Sequence, residues 1–190
     1  MPLCFKSHLL GTIMFTRKID DDLSLALVQP SIAKDYLALV TEQREELSTF
    51  LTWPAKAHDE AFFIEYIRSM LHAYAEGEAL ICAIVYQGKI IGSIGLNAIN
   101  HDLKKANLGY WLSKNYRGQG IITRCTSEFI KIGFDELGLS KIEIKAAVDN
   151  SASRAIPERL GFTLEGIITQ SERVGDRILD HAVYGLQKNK

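Results

Sequence analysis

Residues 107–150 read NLGYWL SKNYRGQG IITRCTSEFIKIGFDEL GLS KIEIKAAVDN, and this run decides the fold. Asn107 to Leu112 has the apolar and aromatic content of a strand. Asn115 to Gly120 is a loop with glycines at 118 and 120. Helical periodicity carries on from there to Leu137, where Gly138 stops it. Ile142, Ile144, Ala146 and Val148 then alternate at period two, which predicts a second strand. Glycines let the backbone approach a ligand, and consecutive free N–H groups at a helix N-terminus form an anion site. Arg117 adds a mobile positive charge. No Gly-Lys-Ser/Thr follows, and the three-glycine spacing of a dinucleotide fingerprint is missing, so this is neither a Walker nor a Rossmann loop. On these residues alone, phosphate binding and an ordinary strand-to-helix turn both stay open.

Working outward, Leu23, Leu25 and Leu27 alternate as a strand, and Pro30-Ser31 opens a helical stretch predicted to reach about Phe50. Thr52-Trp53-Pro54 breaks it, and a second amphipathic helix runs from about Asp59 to Ala75. Ala79 to Tyr86 and Lys89 to Leu96 flank Gln87-Gly88, a two-residue hairpin signal. Beyond the central unit, a short helix from Ser151 to Leu160 ends at Gly161. Two last strands, Phe162 to Arg173 and Arg177 to Leu186, are joined by Val174-Gly175-Asp176. Two helices, a meander, a strand–loop–helix–strand unit and a closing hairpin make a single-domain α/β fold with a mixed sheet. The domain is expected to span residues 1–190, with about 1–18 as an N-terminal extension.

Composition excludes whole classes. The chain has 190 residues, 47% hydrophobic and 24% charged, which is a globular rather than a disordered or fibrous profile. Twenty-two basic residues nearly balance twenty-three acidic ones, so no global charge recruits nucleic acid or an anionic membrane. Cys4, Cys82 and Cys125 are odd in number and widely spaced, which suits buried thiols in a reducing cytoplasm and offers no metal cluster. Leu9 to Phe15 is apolar, but it is short, holds Gly11 and Thr12, and precedes Arg17 with no small-residue cleavage site, so a signal peptide is not expected. No run reaches transmembrane length. The expectation is a cytoplasmic protein without a metal.

Four motifs fall in one order at one spacing: Gly109-Tyr110-Trp111-Leu112, Tyr116 to Ile122, Val148-Asp149-Asn150-Ser151-Ala152-Ser153, and Gly161-Phe162-Thr163-Leu164-Glu165-Gly166. Together they resemble the GCN5-related N-acetyltransferases, in particular the Rim-type (RimJ/RimL-like) branch that acetylates the N-termini of ribosomal proteins. Leu51-Thr52-Trp53-Pro54 looks like that branch's early helix–turn segment, so the likeness covers nearly the whole chain. It implies a mostly antiparallel sheet flanked by helices, with a splayed central strand pair. It also implies acetyl-CoA as co-substrate and direct attack by a primary amine in a ternary complex.

The family's pyrophosphate loop, Arg/Gln-x-x-Gly-x-Gly/Ala, falls on Arg117, Gly120 and Ile122, with Gly118, Gln119 and Ile121 between them. A branched side chain thus stands at Ile122 where the pattern has a small residue. By resemblance, backbone groups of Tyr110, Trp111 and Leu112 contact the cofactor, and Asn150 bonds its pantetheine arm in the gap between splayed strands. Read without the resemblance, Trp111 is a core aromatic and Asn150 a helix cap.

Many relatives protonate the leaving thiolate with a Tyr five residues before the Phe of the Gly-Phe pair, a position held here by Pro157. The Rim-type pattern offers instead a Ser three residues after the Asn, Ser153, as the acid. It places the base ten residues beyond the Phe, at Glu172, with Glu143, Glu165, Asp180 and His181 as rivals. Asn107 stands where the branch often carries an acidic residue.

The expected acceptor is a protein N-terminus. A small amine such as a polyamine, an amino acid or an aminoglycoside is the alternative, and a non-catalytic acyl-CoA-binding module a more remote one. Nucleic acid and membrane are not expected partners, and a homodimer is compatible with the chain.

Overall fold

A computed structural model describes residues 15–188, so Cys4 and residues 9–14 lie outside it. Eight strands form one sheet: β1 (Thr16–Lys18), β2 (Leu23–Leu27), β3 (Leu80–Tyr86), β4 (Lys89–Asn100), β5 (Lys105–Leu112), β6 (Lys141–Ala147), β7 (Thr163–Val174) and β8 (Arg177–Gln187), in the spatial order 1-2-3-4-5-6-8-7. Every neighbour pair is antiparallel except β5 and β6. The helices are α1 (Ala33–Glu42), α2 (Arg44–Leu47), α3 (Glu60–Ala75), α4 (Ile121–Lys131, extended by a π turn to Glu136) and α5 (Ser151–Arg159).

The middle of the sheet is buried on both faces, which is why β3 reads as an unbroken apolar run. Cys82 and Ile84 face the core shared with Ile121, Cys125 and Phe129 of α4. Ile81, Ala83 and Val85 face the opposite core, with Tyr36 and Val40 of α1 and Phe63 and Ile67 of α3. The stretch predicted as one helix from Pro30 to about Phe50 is divided at Gln43, whose backbone (φ −137°, ψ 27°) leaves helical geometry between α1 and α2. The hairpin at Gln87-Gly88 forms as expected, both residues at positive φ (49° and 76°), as a tight primed turn requires.

The feature that positions everything else lies at the parallel pair. β5 and β6 are in register only at Lys105↔Lys141, Ala106↔Ile142 and Asn107↔Glu143, and part from Leu108 onward. Each keeps a partner on its other side: β4 follows β5 to Leu112, and β8 follows β6 to Ala147. The closed end of the fork is pinned by charge. Glu143, nearly buried, holds Lys141 at 2.9 Å and Lys105 at 3.3 Å, and Lys141 reaches Glu165 at 2.8 Å. Burial alone would raise the Glu143 carboxyl, but its bonds to Lys141 and Lys105 outweigh that and hold it below the ordinary carboxylate range.

A group lowered in the folded state contributes stability that is present above its unfolded value, about 4.3 for Glu, and is lost as pH falls through the folded one. Glu143→Gln should therefore lower Tm by several degrees at pH 7, with the gap to wild type closing below about pH 4. A gap that stays constant from pH 7 to pH 3 in thermal melts would contradict this role.

Candidate active site

Between the parted strands opens a cleft of about 1140 Å³. Its walls are residues 108–112 of β5 and 144–147 of β6, its far end is the start of α4, and Asn150 to Ser153 of α5 line it beside β6. Thr49 to Leu51, just after α2, and the side chains of Glu172 and His181 line the rest. Tyr110, Trp111, Leu112, Arg117 to Ile122, Asn150, Ser153 and Glu172, each picked from the sequence, all border this one cavity.

The glycine loop is built for backbone exposure. Gly118 (φ +74°) and Gly120 (φ +70°) adopt left-handed geometry, and a Cβ on either would meet nothing within 4 Å. Their requirement is conformational, and the space over them is open to a ligand. Gly120 is the N-cap of α4 and supplies no side-chain cap, so the first N–H groups of the helix are left uncapped at the cleft wall. Ile122 departs from the expected small residue, yet its side chain packs into the main core beside Cys125 and does not stand over the loop. Arg117 pairs with Glu46 of α2.

On α5, Asn150 is the N-cap, its Oδ1 accepting from the Ser153 N–H at 3.1 Å. The cap reading of Asn150 therefore holds, and the residue borders the cleft as well; Nδ2 is the end with which it can donate to a ligand. Ser153 meets a group that the sequence reading did not assign to it. The Tyr110 hydroxyl crosses the fork and donates to the Ser153 carbonyl at 3.0 Å, and Ser153 Oγ lies 3.4 Å from that phenol. Burial pushes the Tyr110 phenol up to about 12, so it stays protonated as a donor. Trp111, next along β5, turns to the opposite core, with its ring centroid 5.4 Å from Tyr36 and 5.7 Å from Trp53.

The other end of the cleft carries Glu172 and His181, His181 Nε2 standing 3.5 Å from Glu172 Oε2. The rival carboxylates lie elsewhere. Glu143 is locked between two lysines, Glu165 pairs with Lys141, and Asp180 accepts from the Gln170 N–H at 2.8 Å.

Three contributors were not legible from spacing. Gln43 is buried, and its Oε1 accepts from the Lys114 N–H at 2.9 Å, fixing the start of the glycine loop. Phe50 forms a small satellite core with Ala147, Val174 and Leu179. Arg177 stacks over Phe50 at 5.9 Å and donates to the Thr49 carbonyl, tying the α2 side of the cleft to the closing hairpin. Buried Gln43 in an otherwise amphipathic stretch was the one available signal.

A mixed sheet whose parallel pair forks beside an uncapped helix N-terminus offers unpaired backbone groups and an anion-binding helix start in one cleft. Residues 24–163 match the family described as Acetyltransferase (GNAT) domain, and the chain belongs to that family: it is an N-acetyltransferase. It is 30% identical over 169 residues to the Escherichia coli (strain K12) ribosomal-protein-serine acetyltransferase, covering 89% of this chain and 94% of that one. Among solved structures it resembles RimL, a ribosomal L7/L12 alpha-N-protein acetyltransferase in complex with coenzyme A, at a TM-score of 0.88 and 26% identity over 91% of this chain and 98% of RimL. It also resembles MccE, a microcin C7 self immunity acetyltransferase in complex with acetyl-CoA and AMP, at a TM-score of 0.85 and 29% identity over 90% and 94%.

If the loop binds the donor through backbone N–H groups, conformation there matters more than the exposed Arg117 charge. Calorimetric titration with coenzyme A should show Gly120→Val weakening binding at least tenfold, against less than fivefold for Arg117→Ala. Unchanged affinity in the Gly120 variant would remove the donor site from this loop.

Proposed function

We propose that this enzyme moves the acetyl group of acetyl-CoA to the N-terminal α-amine of a protein, a ribosomal protein being the class named for its relatives. The observation that carries the reading is the single cleft that runs from the uncapped start of α4, through the fork, to Glu172. Backbone donors at one end fit the pyrophosphate, the unpaired inner edges of residues 108–112 and 144–147 fit an extended amide arm, and Asn150 supplies a further donor. Acetyl-CoA itself contributes an activated thioester carbonyl.

The chain's own residues then have three tasks. Glu172 accepts a proton from the incoming amine, directly or through a water. Ser153, held by Tyr110, places a hydroxyl where the departing sulfur can take a proton or a hydrogen bond. Direct transfer is favoured because the described cysteines are unsuited to carry an acyl group: Cys82 and Cys125 are both in the core, and burial pushes each thiol up to about 12.

An α-amine is the acceptor that this machinery suits. With a pKa near 8, about one-tenth of it is already neutral at pH 7, whereas a lysine near 10.4 requires roughly 4.6 kcal/mol for deprotonation. One carboxylate at the acceptor end meets the first demand far better than the second. A Ser-initiated peptide with an internal Lys, incubated with acetyl-CoA and sequenced by mass spectrometry, should carry one acetyl group on its N-terminus. Acetylation confined to the Lys Nζ, or turnover with free polyamines only, would overturn the α-amine assignment.

A further inference from the structure

We propose that His181 and Glu172 work as one proton-accepting pair, His181 orienting the carboxylate and taking over from it the proton that leaves the acceptor amine. The inference rests on the acetyl-transfer reading above and adds a residue to it. It starts from an irregularity in β7.

Ile168 is opposite His181, and in a regular antiparallel ladder Gln170 would then be opposite Leu179 and Glu172 opposite Arg177. Instead Glu172 is opposite Leu179, so two extra residues are accommodated between Ile168 and Glu172. The bulge turns at Gln170, a non-glycine residue at φ +51°, and the Asp180 carboxylate holds that strained backbone by accepting from the Gln170 N–H at 2.8 Å. The slip moves Glu172 two positions along β8, from across Arg177 to the diagonal neighbour of His181 on the same sheet face. The Nε2–Oε2 distance of 3.5 Å is the looser spacing usual before substrate binds. His181 is the more sheltered partner, its side chain 15% exposed against 38% for Glu172, and both border the cleft.

The chemistry gives the arrangement a purpose. An α-ammonium near pKa 8 passes its proton to an isolated carboxylate at an equilibrium disadvantage of more than ~10³, and to an imidazole at one of only roughly 30-fold. Glu172 is the better-exposed member for reaching the amine, and His181 the better resting place for the proton. In balance, the ammonium gives one proton to the pair, and the amine lone pair forms the C–N bond as the C–S bond breaks. The second proton from nitrogen reaches the sulfur by way of Ser153, and the pair returns its proton to solvent.

The other charged side chains that the register puts on this face are Lys141, Glu143 and Lys145 of β6 and Arg177 of β8; Lys141 and Glu143 are joined to each other at the apex of the fork, Asp149 lies 3.9 Å from Arg177, and Glu46 of α2 is tied to Arg117. Asp180 is engaged by the bulge.

The test is steady-state kinetics of full-length wild type, His181→Gln, His181→Phe and Glu172→Gln from pH 5.5 to 8.5, with coenzyme A affinity measured in parallel. His181→Gln keeps a hydrogen-bond donor beside Glu172 but cannot hold the proton. It should lower kcat at least tenfold and flatten the limb of rising kcat expected for wild type between pH 5.5 and 7.5. Peptide KM and coenzyme A affinity should stay within about threefold of wild type. His181→Phe should fall at least as far as Glu172→Gln. Retention of wild-type kcat and of that limb in His181→Gln would overturn the pair. So would a parallel loss of kcat, KM and coenzyme A affinity, which marks a merely structural residue. Turnover of spermidine but of no peptide would instead overturn the acceptor reading, and the same comparison run on spermidine would still decide the pair.

Discussion

The parting of β5 from β6 is the constraint on which the rest of the molecule depends. Three parallel residue pairs are all that these neighbours share, and beyond Asn107 and Glu143 their facing backbone groups have no partner in the sheet. Unpaired amides inside a fold are costly unless water or a ligand meets them, so an edge of this kind persists only where the surroundings enforce it. Here the enforcement comes from both flanks. β4 and β8 hold the outer edges, and the Lys105–Glu143–Lys141–Glu165 cluster closes the apex. The opening is thereby built into the sheet, and it presents unpaired backbone groups along both inner edges.

The two helical layers do different work around that opening. α4 and α5 start at its rim, one offering an uncapped N-terminus and the other a capped turn that carries Ser153. The layer of α1 to α3 reaches the cleft from the opposite face through buried Gln43, through the Glu46–Arg117 pair and through Phe50. Tyr110 and Trp111, adjacent on β5, show how one strand serves both. The phenol of the first enters the fork, and the indole of the second anchors the opposite core. Likeness to both RimL and MccE fits this division, because a shared donor site can coexist with an acceptor wall built from less regular segments.

Period-two and helical patterning made most of the elements legible in the sequence, down to the strand–glycine-loop–helix–strand unit and the hairpin at Gln87-Gly88. The helix expected to reach Phe50 was overextended because Gln43 breaks it with a buried side chain, and neither glycine nor proline marks the place. The fork is invisible to periodicity, since Ile142, Ile144 and Ala146 alternate in the same way whether or not β5 stays beside them; it was readable only through family resemblance. Ile122 stood out as a departure from the motif, but its side chain packs into the main core beside Cys125. The proximity of Glu172 and His181 depends on a two-residue bulge at Gln170, a residue type with no turn signature, so spacing along the chain gave no warning of it.

Hydrogen–deuterium exchange with and without coenzyme A tests the fork as the donor site most directly. The account predicts that ligand slows exchange in residues 108–112 of β5, 144–147 of β6 and the first turn of α4, with β1 to β3 unchanged. Protection confined to other segments, or none along the two inner edges at saturating coenzyme A, would contradict it.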